Sequence, residues 1–441
     1  MIKRTATIAA LCLVSLLTTI THAGFTEPSS FPTPPGLPDD VYLGYAIAVD
    51  GDTAVVTTLT GQHRGNGTAY VYTFDGTAWN FEQELVPDDE TPYTFFGVVA
   101  DISGDTIVVG APNHYGETPG KAYIFTRTDN TWVQTQIIVE EAQENDISDY
   151  AEFGWSVAID GDIVVVGNPG RLYYPPDPGD GTPVYPIEDV SGAVFAYNRS
   201  DNFTSPTMLA GDIDNETFRF LGQSIDVIGD TIIAVAPGYS GQGTFYVFTD
   251  TGNGYNRHRV QPPEDRNIGG FGYAVDMGTY TTASGEENLI AAIGGSSSNS
   301  GDPQLNLFVQ DGANWLPTTQ FTVSTSDQEY FAEVAFGDNI LFVGEFLSYI
   351  PFILPIQIHE DGTASATEKV WLDQSPQTVR LAATDTQVIY RSERLYSYDN
   401  MENTAIAYMS YDFPAPQVTS TLPANGILNV SPDTLFGATF S

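Results

Sequence analysis

Apolar and polar residues in this chain alternate in short, strand-length runs, and the runs come in sets that repeat. Phe153 to Pro169 opens with Phe153-Gly154, alternates small and apolar residues up to Ile159, turns at Gly161-Asp162, and resumes as the β-branched run Ile163 to Val166. Phe96 to Pro112 matches it almost position for position. The same opening stands at Leu43-Gly44, Leu221-Gly222 and Phe271-Gly272, and weaker copies occupy Phe331 to Gly344 and Val379 to Tyr390. Period-two alternation predicts a half-buried strand, and the Gly-Asp pair a tight hairpin. The continuous β-branched run predicts a strand covered on both faces.

Each copy continues with a third strand, as in Gly120 to Phe125, Gly192 to Tyr197 and Gly243 to Phe248, and a fourth opened by an aromatic at Trp79, Trp132, Phe203, Tyr255 or Trp315. A recurring aromatic at one point of a repeat reads first as packing between units. Four-stranded units that cannot bury themselves alone, recurring every fifty to seventy residues or so, are what a propeller requires. The expected fold class is therefore all-β: a seven-bladed β-propeller of four-stranded blades over residues 42–412. Ring closure needs a strand borrowed across the termini, and either Phe25 to Pro35 or Tyr411-Asp412-Phe413 could give it.

The ends differ from the repeats. Lys3 and Arg4, the apolar run Ile8 to Leu17 and Thr21-His22-Ala23 have the layout of a cleaved secretory signal over residues 1–23, followed by a Pro-rich linker over 24–41. Export would place the chain in the medium or on the cell surface. Cys12, the one cysteine, lies in that signal, so the expected mature chain has no disulfide and no thiol nucleophile. The net charge of −41 disfavours nucleic acid and anionic lipid as partners, and no later run is long and apolar enough to insert in a membrane.

The Phe-Gly openings, Gly-Asp turns and Val-Gly-Ala-Pro-like strand ends resemble FG-GAP repeats, the units of the integrin α-subunit head. The resemblance covers roughly Tyr42 to Asp412 and is strongest in the first five copies. It implies extracellular binding or adhesion. The cation-binding members carry an Asp-rich loop between first and second strands, where this chain has tight turns such as Asp160-Gly161-Asp162, so neither a metal nor any other cofactor is expected. Beyond Ala415, the segments Pro416 to Gly426, Val430 to Asp433 and Phe436 to Ser441 look like the start of a truncated Ig-like β segment of the bacterial S-layer type, with further domains expected to follow.

No zinc-ligand spacing, His-Glu-x-x-His or nucleophile elbow occurs, and with 56 acids close carboxylate pairs arise by chance. The expectation is a non-enzymatic module that binds a glycan or protein ligand. A secreted polysaccharide- or ester-cleaving enzyme working at the channel mouth is the alternative, and a structural spacer the third. In a four-stranded blade, the loops joining strands two to three and four to one emerge on one face, and binding residues favour loops on rigid scaffolds. That face should carry His63, Arg64, His114, Tyr115, Arg171, Tyr173, Tyr174, Tyr185 and Tyr239 as ligand contacts, beside acidic four-to-one loops such as Asp88-Asp89-Glu90 and Glu140-Glu141. The Tyr- and Pro-rich insertion Arg171 to Pro186 is the expected principal contact loop, since insertions in repeat proteins map to one face.

Overall fold

The computed structural model describes residues 25–411 apart from 27, 38–40, 61–66, 90–93, 113–118, 141–151, 173–189, 211–217, 238–242, 263–270, 296–303, 323–332, 338, 348–349, 368, 372–379, 393–394, 397–399 and 402–404. Seven antiparallel sheets follow one another in sequence, each built on a four-strand path. Their innermost strands are Val41–Asp50, Val99–Ser103, Ser156–Asp160, Ile225–Ile228, Phe271–Thr281, Glu333–Gly337 and Leu381–Ala383. These are the seven copies read from the sequence, and the fold is an all-β, seven-bladed propeller. Apart from one 3-10 turn at Arg199–Asp201, the described residues contain no helix.

The hydrophobic core is divided into seven clusters, one for each seam between successive blades. The β-branched second strands face a seam on both sides: Val164 and Val166 pack toward the second blade, Val165 toward the fourth. Residues of one sheet alternate between two neighbours, so every blade depends on both for burial. The aromatics expected at the fourth strands fill these seams. Trp79, Trp132, Phe203 and Trp315 are each at most 5% exposed, which makes them packing residues. Phe203 precedes its strand, Thr207–Ala210, because the 3-10 turn intervenes.

The Phe-Gly opening is also a seam device. Phe96, Phe153 and Phe271 are fully buried. The glycine after each has a left-handed φ, +94° at Gly97, +86° at Gly154 and +90° at Gly272, as has Gly222 after the Leu221 of the fourth blade at +86°. A Cβ on Gly222 would stand 2.7 Å from the Ala193 carbonyl oxygen of the preceding blade. Only glycine allows both that backbone conformation and that approach.

The ring closes through the N-terminal candidate. Ser29–Ser30 pairs with Ala405–Ser410 as the fourth strand of the seventh blade, Ser29 opposite Tyr408, and Phe25 bridges Tyr411. Phe31 is the plug: it stacks on Trp79 at 5.1 Å and meets Tyr72 and Tyr408 edge-on. Part of the segment read as a Pro-rich linker is therefore woven into the ring. The expected signal and the Ig-like segment fall outside the described residues.

Candidate binding site at the channel mouth

Innermost strands are edge strands, so their outward amides, and those of the turns that follow them, need acceptors other than a neighbouring strand. Five seams supply them from side chains of the preceding blade. Asp50 Oδ2 accepts from Gly104 N–H at 2.6 Å, Asp101 Oδ2 from Ile159 N–H at 2.7 Å, and Asp160 Oδ2 from Gly229 N–H at 2.7 Å. Asp226 Oδ2 accepts from Met277 N–H at 2.5 Å and Asp276 Oδ2 from Phe336 N–H at 2.7 Å. The other oxygens of Asp101 and Asp226 accept their own strands' next amides. Carboxylates thus staple blade to blade around the channel.

Stapling gathers like charges in a confined space. Burial, with repulsion from Asp50 and Asp160, pushes Asp101 up to about 7. Asp226 is raised by burial and then by Asp276 and Asp101. Asp276 is raised by burial, Asp101 and Glu333.

Above the staples, the inner strands of all seven blades line one cavity of about 330 Å³. Register fixes which face it opens on: Val99 pairs with Gly110, so the start of an inner strand lies beside the end of the second strand. The mouth is therefore on the face where the two-to-three and four-to-one loops emerge. Each residue after the Phe-Gly or Leu-Gly opening lines it: Tyr45, Val98, Trp155, Gln223 and Tyr273. The left-handed glycine turns the chain, and its successor is delivered to the axis. In the weaker sixth and seventh copies, Glu333 and Arg380 line the cavity.

Arg380 Nη1 donates to Glu333 Oε2 at 2.9 Å, and its guanidinium carbon lies 5.7 Å from the Tyr45 ring centre. Glu333 holds the Arg380 pKa above its ordinary value against the effect of burial. Below the aromatic walls, Ser156 Oγ donates to the Gly222 carbonyl at 2.6 Å, and Ser224 Oγ accepts from Val275 N–H at 3.2 Å. The wall residues thus stand on strands fixed by hydrogen bonds across the seams. Flat apolar faces beside hydrogen-bonding groups suit a ligand with both apolar and hydroxylated surfaces.

Of the nine residues expected as ligand contacts, His63, Arg64, His114, Tyr115, Tyr173, Tyr174, Tyr185 and Tyr239 lie outside the described residues. Arg171 is described, and it points into the protein. It is 7% exposed, forms an ion pair with Glu140, and lies with its guanidinium carbon 5.6 Å from the Phe195 ring centre. The acids entering the loops are likewise engaged. Asp89 accepts from Tyr123 Oη at 2.8 Å and pairs with Lys121, while Glu140 also accepts from Asn168 Nδ2 at 2.6 Å. These pairs pin the loop entrances to the next blade. The mouth residues Tyr45, Trp155, Gln223, Tyr273, Glu333 and Arg380 were not among the expected contacts.

A family model described as FG-GAP repeat matches residues 79–125 and 132–179, which lie in the first three blades. With the seven-bladed ring, this defines the class: a β-propeller carrying FG-GAP repeats. Comparison with curated proteins finds no match. Among solved structures, the chain is similar to a polysaccharide lyase of family PL25, an ulvan lyase, at 11% identity, 87% coverage of this chain, 93% of that one and a TM-score of 0.46. It is similar to a Bacteroides uniformis protein described as a 6-phosphogluconolactonase at 8% identity, 74% and 85% coverage and a TM-score of 0.47. Sqt1 from Chaetomium thermophilum follows at 13% identity, 82% coverage of each chain and a TM-score of 0.43. The likeness is one of fold. It corrects one expectation: propellers of this shape include a polysaccharide lyase, so the lack of a catalytic motif does not make the chain a non-enzyme.

Proposed function

We propose that the chain is an exported propeller that binds saccharide at the mouth of its central channel. The observation that carries this reading is the cavity of about 330 Å³ into which the blades direct Tyr45, Trp155 and Tyr273 together with Gln223, Glu333 and Arg380. Its volume falls at the lower end of the roughly 300–1,000 Å³ usual for ligand pockets, room for a mono- or disaccharide unit. Aromatic faces cover the C–H surface of a sugar ring, and the polar side chains take its hydroxyls.

Glycan-array binding by the purified chain, followed by calorimetry on the hits, tests this. Trp155→Ala is expected to weaken binding at least tenfold, about 1.4 kcal/mol. Undiminished binding by that variant would move the site elsewhere. Polysaccharide cleavage at the same mouth is the second reading, favoured by an ionisable pair, Glu333 and Arg380, beside the Tyr45 ring. Incubating the array hits with the chain separates the two, since cleavage releases new reducing ends or unsaturated products and binding alone releases none.

A further inference from the structure

Resting on that reading, we infer that Glu333 sets the selectivity of the mouth: by neutralising Arg380 it makes the cavity take uncharged saccharides and reject those bearing uronate or sulfate. Three observations meet here. Arg380 is the one cation among the described lining residues, and its guanidinium is hydrogen-bonded to Glu333 at 2.9 Å. The two side chains are equally accessible, each 34% exposed, so a ligand that reaches one meets the other. The surroundings add only negative charge: Glu333 and Asp276 repel each other, Asp276 feels Asp101, and Asp226 feels both. Asp101 in turn faces Asp50 and Asp160.

An anionic sugar entering this cavity would meet a cancelled cation in an acidic field, within a chain of net charge −41. A concave site with low-dielectric walls concentrates such a field, and groups within about one Debye length, ~8 Å at physiological salt, are poorly screened. An uncharged sugar meets no repulsion. Its hydroxyls can accept from the Arg380 guanidinium and donate to the Glu333 carboxylate without separating the pair. Glu333 therefore acts as a specificity determinant whose removal should abolish the preference.

The test uses the full chain and two probe sets, neutral tetrasaccharides (cello-, manno- and xylo-) and acidic ones (oligogalacturonate, oligoalginate). Binding is measured by calorimetry near pH 8, above the value of about 7 to which Asp101 and Asp276 are raised, so that these carboxyls below the mouth contribute their negative charge. The parent is expected to bind its best neutral probe at least about tenfold more tightly than any acidic one, a difference of about 1.4 kcal/mol. Glu333→Gln, which keeps a hydrogen-bond acceptor for Arg380 but removes the carboxylate that a neutral sugar's hydroxyls would donate to, should raise affinity for the acidic probes about tenfold with no comparable gain for the neutral probe, a shift of at least about tenfold in the ratio of acidic to neutral affinity.

Raising salt on the parent gives a readout that needs no variant: the acidic probes should gain relative to the neutral ones as repulsion is screened. A parent that prefers acidic probes, with Trp155→Ala abolishing that binding, overturns the inference and leaves the site standing. An unchanged Glu333→Gln preference, or acidic probes that lose ground as salt rises, also overturns it. Failure of every probe to bind at the mouth overturns both.

Discussion

The seam between the fourth and fifth blades and the seam between the seventh and first are made of different material. At the former, Asp226 lies at the axis and collects one amide from each blade, and apolar packing fills the space outward. At the latter, the seventh blade carries Ala382 and Thr384 at the corresponding positions, neither of which offers a carboxylate. Its strength lies toward the rim instead, in the Phe31–Trp79 stack, the Trp79 Nε1–H bond to Gln387 Oε1 at 3.0 Å, and the borrowed strand. A seam between consecutive blades is aligned by the chain running through it, so a polar fastener at the axis suffices. The seam between the chain's two ends has no such tether and relies on aromatic area and a shared sheet.

The largest break in this comparison should come at the closing seam. Phe31→Ala empties the plug among Trp79, Tyr72 and Tyr408 and is expected to cost about 4 kcal/mol, read as a fall in the denaturant midpoint with unchanged m-value. Asp226→Ala leaves the Val227 and Met277 amides without their acceptor and should cost about 3 kcal/mol, while a loss under 1 kcal/mol would mean that water replaces the staple at little cost.

Acidity sharpens the contrast next. Asp101 has a folded pKa of about 7 against an ordinary 3.8, so the folded state binds a proton that the unfolded state releases between those values. Stability should therefore rise as pH falls from about 7 toward 4. About 2 kcal/mol is expected over that interval, well below the full shift at about 1.4 kcal/mol per unit because these side chains keep partial exposure to the channel. Asp101→Asn should make the profile shallower, with Asp226 and Asp276 carrying the remainder; a profile as steep as the parent's would place the titration elsewhere. Gln387→Met, which leaves the Trp79 indole N–H without its acceptor, should cost about 1 kcal/mol, the smallest effect of the series.

Blade number and the seam role of the aromatics were legible in the sequence because both follow from periodic apolar positions. Closure was half legible: both terminal segments could reach, and nothing local says that Ser29 finds Tyr408. Arg171 read as exposed because it begins a polar insertion, but the partner that buries it, Glu140, is thirty-one positions away. The mouth carried a signal that went unread. Within an otherwise repetitive frame, the residue after the glycine changes from Tyr45 to Val98, Trp155, Gln223 and Tyr273, which is the behaviour of a position freed from packing. Glu333 and Arg380 were hidden for another reason: they sit in the two copies where the Phe-Gly opening has decayed, so no frame pointed to them.

The closing strand also sets an order of events. Ser29 and Ser30 are among the first described residues to be synthesised, yet their partners, Tyr408 and Ala407, are among the last. Until those appear, Phe31 has nothing but the first blade to cover it, and the growing protein is an open arc with two unprotected ends. Contacts so distant in sequence form slowly, because the entropy of closing the loop is lost before the contact rewards it. A segment made early is thus the last to dock, and the time an arc spends unclosed is the interval in which two such chains could exchange strands and join.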